Sequence, residues 1–139
     1  MTSVQETLVL VKPDGVARNL TGEILRRIEA KGYQLVDIRL VEADRDLLGK
    51  HYEEHVGKPF YEPLVEFMES GPIVAVRVAG NRVIEGFRAL AGTTDPTTAA
   101  PGTIRGALAR AWGTKVQQNL VHGSDSPESA ARELALWFD

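Results

Sequence analysis

TLVLVK, residues 7–12, places five leucine or β-branched residues in six positions and runs straight into Pro13-Asp14-Gly15. A short, continuous apolar run closed by turn residues predicts a strand buried on both faces, ending at a turn. Everything after it alternates with that strand. Thr21 is positioned to cap a helix through Lys31, with Ile24 and Ile28 on one face and Gly32 as its stop. Residues 33–41, YQLVDIRLV, alternate: Val36, Ile38 and Leu40 face one way, Asp37 and Arg39 the other, as in a strand with one wetter face.

Asp44 then caps a helix expected through about Glu54, broken by GKPF, and a further helix carries Leu64, Val65, Phe67 and Met68. Ser70-Gly71-Pro72 ends it, and IVAVRVAG follows as a third strand. Asn81 is placed to cap a helix with Val83, Ile84, Phe87 and Leu90. Residues 92–103, GTTDPTTAAPGT, have no periodicity. A last strand is expected near Gln118 to His122, before a helix capped at Ser126 with Pro127 in its first turn. With the middle helix pair and the tail set aside, the order is βαββαβ. This predicts an α/β chain, an α+β sandwich on the ferredoxin-like plan, with a four-stranded antiparallel sheet and added helices. Its 139 residues suit a single domain over 1–139, large enough to bury a core without staples.

Composition narrows the chemistry. There is no cysteine, which excludes disulfides, a thiolate nucleophile and a thiolate zinc site. A net charge of −3 argues against a nucleic-acid binder, which needs a basic face. The apolar runs are of strand length, far short of a bilayer span, so no membrane association is expected. The opening MTSVQETLVLVKPDG lacks a secretory pattern, which gives a cytoplasmic reading; Asn19-Leu20-Thr21 is then a chance sequon. The phosphate-loop, dinucleotide and nucleophile-elbow glycine motifs are all missing.

Two histidine stretches remain. HYEEH, residues 51–55, fits an inverted zinc-protease pattern, with His51 and His55 one helical turn apart and Glu54 as base. Five loosely specified residues also describe an ordinary charged helix face. NLVHGSDS, residues 119–126, puts His122 at a strand end. Gly123 leaves room for a bulky phosphate there. Ser124 can donate to a carboxylate, and Glu133 falls on the next helix, able to fold back toward the imidazole. Position alone favours a structural histidine over a nucleophile. Lys12, Arg88 and Arg105 each sit beside a turn or long loop, where an ammonium or a guanidinium fork suits a multi-oxygen anion. Thr94 adds a hydroxyl in the same loop. Taken singly, each cation reads as a surface charge.

Four segments carry a resemblance: TLVLVKPDGV, HYEEHVGKPFYEPLVEFMESGP, VIEGFRALAGTTDPTTAAPGTIRG and NLVHGSDSPESAARE. In this order, along nearly the whole chain, they resemble the nucleoside diphosphate kinases. The resemblance implies ping-pong transfer of the γ-phosphate of a nucleoside triphosphate, mainly ATP, to nucleoside diphosphates. It implies a phosphohistidine at His122 formed through Nδ1, with Glu133 and Ser124 holding the ring. Lys12, Tyr52, Arg88, Thr94, Arg105 and Asn119 match residues around the phosphates and sugar. Lys12 and Asn119 match the 3′-hydroxyl contacts, Phe60 the base-stacking aromatic and Val116 a base contact. Mg2+ is implied, held mainly by the nucleotide phosphates, with no dedicated protein ligand. A homo-oligomer is implied too: hexamer favoured, tetramer or dimer as alternatives.

Three departures stand out. Ala107 occupies a position where the family often has Asp, and Gln118 one where it often has Arg. The stretch from Gly106 to His122 is about four residues longer than the compact family pattern, with the extra residues placed around Ala109 to Thr114. Two rival readings are a degenerate fold that binds nucleotide without transfer, and a zinc hydrolase built on His51, Glu54 and His55.

Overall fold

The computed structural model describes residues 4–110 and 117–138. Strand β1 (Val4–Val11) lies inside the sheet, pairing antiparallel with β3 (Ile73–Asn81) and with the short β4 (Val121–Gly123). Strand β2 (Gln34–Val41) pairs antiparallel with β3, so the order is β2-β3-β1-β4. This is the ferredoxin-like arrangement that the element order predicts.

The continuous apolar run of β1 has a direct cause: both faces are covered. Side chains alternate along a strand. Val9 and Val11 therefore join Val74, Val76 and Val78 beneath α2 (Thr21–Ala30) and α5 (Val83–Ala91), which contribute Ile24, Ile28, Val83 and Phe87. Leu8 and Leu10 join Ile73 and Ala75 on the opposite face. There they meet Leu48 of α3 (Arg45–His51), Val65 and Met68 of α4 (Tyr61–Met68), and Leu134 and Trp137 of α7 (Pro127–Phe138). Each fully buried leucine or valine contributes roughly 1.5–3 kcal/mol. The added helices α3, α4 and α7 are thus a second covering layer.

Several boundaries differ from the sequence reading. Pro13-Asp14-Gly15 is no simple turn; it opens the five-residue helix α1 (Pro13–Ala17), with Lys12 extended at the cap and Pro13 pre-set for the first turn. The cap of α2 is Leu20, not Thr21, because Asn19 at φ 59° delivers the chain one residue early. Asp44 does cap α3, accepting from Leu47 N–H at 2.8 Å. That helix stops at His51, however, and Glu53–His55 form a separate 3-10 turn. Arg82, in the left-handed region at φ 54°, precedes α5 in place of the expected Asn81, which stays in β3. A short helix α6 (Ile104–Leu108) follows the Thr/Pro loop, capped by the Thr103 hydroxyl on Gly106 N–H at 3.0 Å. Ser126 accepts from Ser129 N–H at 3.1 Å, as expected for its cap on α7.

The predicted alternation of β2 is interrupted by a bulge between Leu35 and Asp37, and its apolar row is the open one. Val36, Ile38 and Leu40 are 49%, 47% and 70% exposed on the sheet's outer edge. Leu35 of β2 packs against the core beneath α2 and α5, but this row is left bare.

Candidate active site

β4 is only three residues long, and it presents one functional side chain. His122 sits opposite Leu10 of the buried strand β1, so its backbone is fixed by the sheet. Past Gly123 the chain turns into α7, which packs back on β1 and α3. Arg132 ties α7 down by donating to the C=O groups of Lys50 and His51 at the end of α3, at 2.9 and 3.3 Å. That seating brings Glu133 beneath the imidazole. His122 Nε2 lies 2.8 Å from Glu133 Oε1, and Ser124 Oγ donates to the same oxygen at 2.7 Å. Ser124 is itself buried and accepts from Leu8 N–H at 3.2 Å, which anchors the carboxylate to β1. Burial pushes the Glu133 carboxyl up, but the hydrogen bonds from His122 and Ser124 more than offset it, so the carboxyl ends below its usual range.

The cleft in front of His122 has a volume of about 1090 Å³. Lys12, Tyr52, Phe60, Arg88, Thr94, Arg105, Asn119, His122 and Glu133 all line it, so the structure brings together nine residues named from the sequence. Ser124 lies behind the wall, and Val116 lies outside the described residues, as does most of the lengthened segment. Lys12 projects from the end of β1, donating to Asn119 Oδ1 at 2.9 Å and Gln117 C=O at 3.3 Å. Burial, reinforced by the charge of Arg105, lowers its pKa to about 7. Asn119 in turn donates to Thr94 C=O at 2.9 Å. Arg105 spans three carbonyls, those of Gly92, Asn119 and Val121, at 2.8, 3.3 and 2.7 Å. A guanidinium has five N–H donors, so two remain for a ligand. Burial raises the Tyr52 pKa, keeping its hydroxyl protonated. Phe60, at the mouth, is 47% exposed.

Gly123 lines the cleft beside His122 and also serves the core. A Cβ there would come within 2.6–2.9 Å of the Phe87 ring, so the missing side chain accommodates Phe87.

His51 is the residue the sequence reading placed wrongly. With α3 ending at His51, it and His55 do not share a helix face as a zinc pair requires. His51 turns inward instead. Its Nδ1 accepts from Trp137 Nε1 at 3.0 Å, and its ring meets the His122 ring edge-on, with centroids 4.8 Å apart. Burial and the neighbouring His122 lower its pKa to about 3, so it is a neutral ring. Among the described residues, His51, His122 and Glu133 form the one grouping of three potential metal ligands. Glu54 and His55 are not in it. The Trp137 bond places the His51 proton on Nε2, where it blocks ligation by that nitrogen. No pattern within HYEEH signals this inward turn, because the partner is Trp137, 86 residues away.

A family model described as nucleoside diphosphate kinase matches residues 5–139. The chain is 61% identical over 135 residues to the nucleoside diphosphate kinase of Streptomyces avermitilis, with 96% of each chain covered. It is 56% identical over 135 residues to that of Thermobifida fusca, with 97% of each covered. Among solved structures, the halophilic nucleoside diphosphate kinase of Halobacterium salinarum in complex with CDP superposes with a TM-score of 0.91 at 43% identity, covering 99% of this chain and 89% of that one. The family protein from Babesia bovis gives 0.90 at 42% identity, covering 96% and 88%.

Proposed function

The chain belongs to the nucleoside diphosphate kinase family, and from that premise we propose how its own residues divide the work. The reaction moves the γ-phosphate of a nucleoside triphosphate to a nucleoside diphosphate by a ping-pong route through a phosphohistidine. One observation carries the assignment of roles: Glu133 occupies Nε2 of His122, at the floor of a cleft lined by Lys12, Arg88 and Arg105. With the proton on Nε2 donated to Glu133, the Nδ1 lone pair is the one left to attack. Nδ1 forms a bond to the γ-phosphorus as the bond to the β–γ bridging oxygen breaks, and the diphosphate leaves. The ring then carries positive charge, which the Glu133 carboxylate balances. A second diphosphate reverses the step through its terminal oxygen.

Such a transfer has a loose transition state, so positioning and charge neutralisation do most of the work. Lys12 and Arg105 are held by buried and partly buried hydrogen bonds before substrate arrives, and Arg88 adds a third charge. Tyr52, Thr94 and Asn119 hold phosphate and sugar oxygens. Phe60 stacks on the base, which tolerates every base because each has a π-face. Val116 would add a base contact.

Mg2+ fits this cleft as a partner of the nucleotide. The carboxylates of Glu54 and Asp125 line it, and hard oxygen ligands suit this ion, which usually keeps several waters beside substrate phosphates. When bound with nucleotide, the ion neutralises phosphate charge. Its main ligands would be the phosphates themselves.

The bare apolar row on β2 supports a homo-oligomer, since an open sheet edge with exposed Val36, Ile38 and Leu40 is a ready pairing surface. A hexamer remains the favoured form, with tetramer and dimer as alternatives, and light scattering on Ile38→Lys against wild type reads it. No helix among the described residues is long and apolar enough to cross a membrane, and a cytoplasmic location accords with nucleotide substrates.

The test is labelling. Incubation with γ-labelled ATP and Mg2+ should give an acid-labile, alkali-stable phosphoprotein that passes its label to GDP. Absence of label on the wild-type protein sinks the assignment and leaves a nucleotide-binding module.

A further inference from the structure

The strand that carries the nucleophile starts from a strained turn. Leu120 has φ 75°, and Val121 N–H donates to Asn119 C=O at 2.9 Å across it. These are the marks of the rare form of the γ-turn, which a branched L side chain adopts only when held there. Two bonds hold it from the same neighbouring segment. Lys12 N–H donates to Leu120 C=O at 2.8 Å, and Leu120 N–H donates to Asp14 Oδ2 at 3.2 Å. The contact is close: a Cβ on Gly15 would stand 3.3 Å from the Leu120 carbonyl oxygen.

We propose that Asp14 is a positioning residue for phosphoryl transfer: its carboxylate clamps Leu120 in the γ-turn, and the turn sets Asn119 on one side and His122 on the other. Asp14 does not line the cleft, so it acts through the turn and not on the substrate. It also sits in the first turn of α1 beside the Lys12 charge, where a carboxylate is favoured. Among the described residues Oδ1 is buried without a hydrogen-bond partner, and burial raises the pKa of the Asp14 carboxyl against the pull of Lys12. The one bond Asp14 makes across the chain goes to the turn. Rotation of the 119–120 peptide would pull the Asn119 C=O off Arg105 and re-aim the start of β4. Asn119 and Val121 are further pinned through their carbonyls by Arg105, which leaves the Leu120 amide as the point that, among the described residues, only Asp14 secures.

The inference rests on the phosphohistidine assignment of His122, so single-turnover labelling at saturating ATP is run first on wild type, where failure indicts that assignment alone. Asp14→Ala should then lower the first-order labelling rate on the order of 10²-fold, the scale of a small misplacement. Asp14→Asn keeps an acceptor for the Leu120 amide while losing the charge, and should restore most of that rate. Saturating nucleotide keeps Lys12 protonated, so the comparison reports the hydrogen bond. Equal losses in both variants, or a folded Asp14→Ala labelled at the wild-type rate, would overturn the proposal. Should Asp14→Ala fail to fold, amide exchange decides: the Leu120 amide must be protected in wild type and Asp14→Asn, and rapid exchange there overturns the clamp.

Discussion

Trp137 Nε1 donates to His51 Nδ1 at 3.0 Å, directly behind the ring of His122. The bond fixes the His51 proton on Nε2, and burial keeps the ring uncharged. A neutral wall therefore stands behind the nucleophile, where an imidazolium would oppose the positive charge His122 gains on phosphorylation.

Removing the donor tests the pair. Trp137→Phe leaves His51 Nδ1 buried without a partner, at a cost of about 1–3 kcal/mol. The denaturation midpoint should fall accordingly. His51→Ala should also destabilise but still accept label from ATP, whereas His122→Ala should accept none.

The same ring sets an acid dependence. The His51 pKa lies near 3 in the fold against an ordinary 6.5 for an exposed imidazole, so the unfolded chain binds more protons between those values. Its contribution to stability is whole above about pH 6.5 and is lost as pH falls below it. Glu133, held below its usual 4.5, adds a loss that begins at lower pH. Unfolding midpoints measured from pH 7 to pH 5 should decline in wild type and flatten in His51→Gln.

Lys12 gives the opposite window. Its pKa of about 7 in the free protein means that it is largely uncharged at pH 8. Bound phosphates favour the ammonium, so ADP binding should take up more protons at pH 8 than at pH 6. Calorimetry in buffers of different ionisation enthalpy measures this. Lys12→Gln should abolish the difference.

Gly123→Ala probes the nucleophile's seat. The new methyl meets the Phe87 ring, and overpacking of this kind costs about 1–3 kcal/mol. Because Phe87 belongs to the core, relief must come from β4, so the labelling rate should fall along with stability.

How far the sequence reveals this follows from which interactions are local. Strands β1 and β3, the helices with apolar spacing, and the Asp44 and Ser126 caps are legible because neighbouring residues determine them. Helices α1 and α6 have five residues each, too few to persist alone, and are held by tertiary packing. The cleft residues come from family-like segments rather than periodicity. The Leu120 turn, the inward His51 and the fit of Phe87 over Gly123 depend on partners remote in sequence. The alternation of β2 is plain in its residues, but which face the helices cover is a matter of topology.

The pairing of β4 with β1 also sets a timetable for synthesis. Val9 meets Gly123, and Leu8 donates to Ser124, across more than a hundred residues of chain. Contacts so distant form after local ones, since the chain must first close a long loop. Lys12 leaves the ribosome early, but it has no Asn119 to bind and no imidazole to face until the last fifth of the chain emerges. A nascent chain is therefore chemically silent toward ATP, and the phosphate carrier appears together with the completed fold.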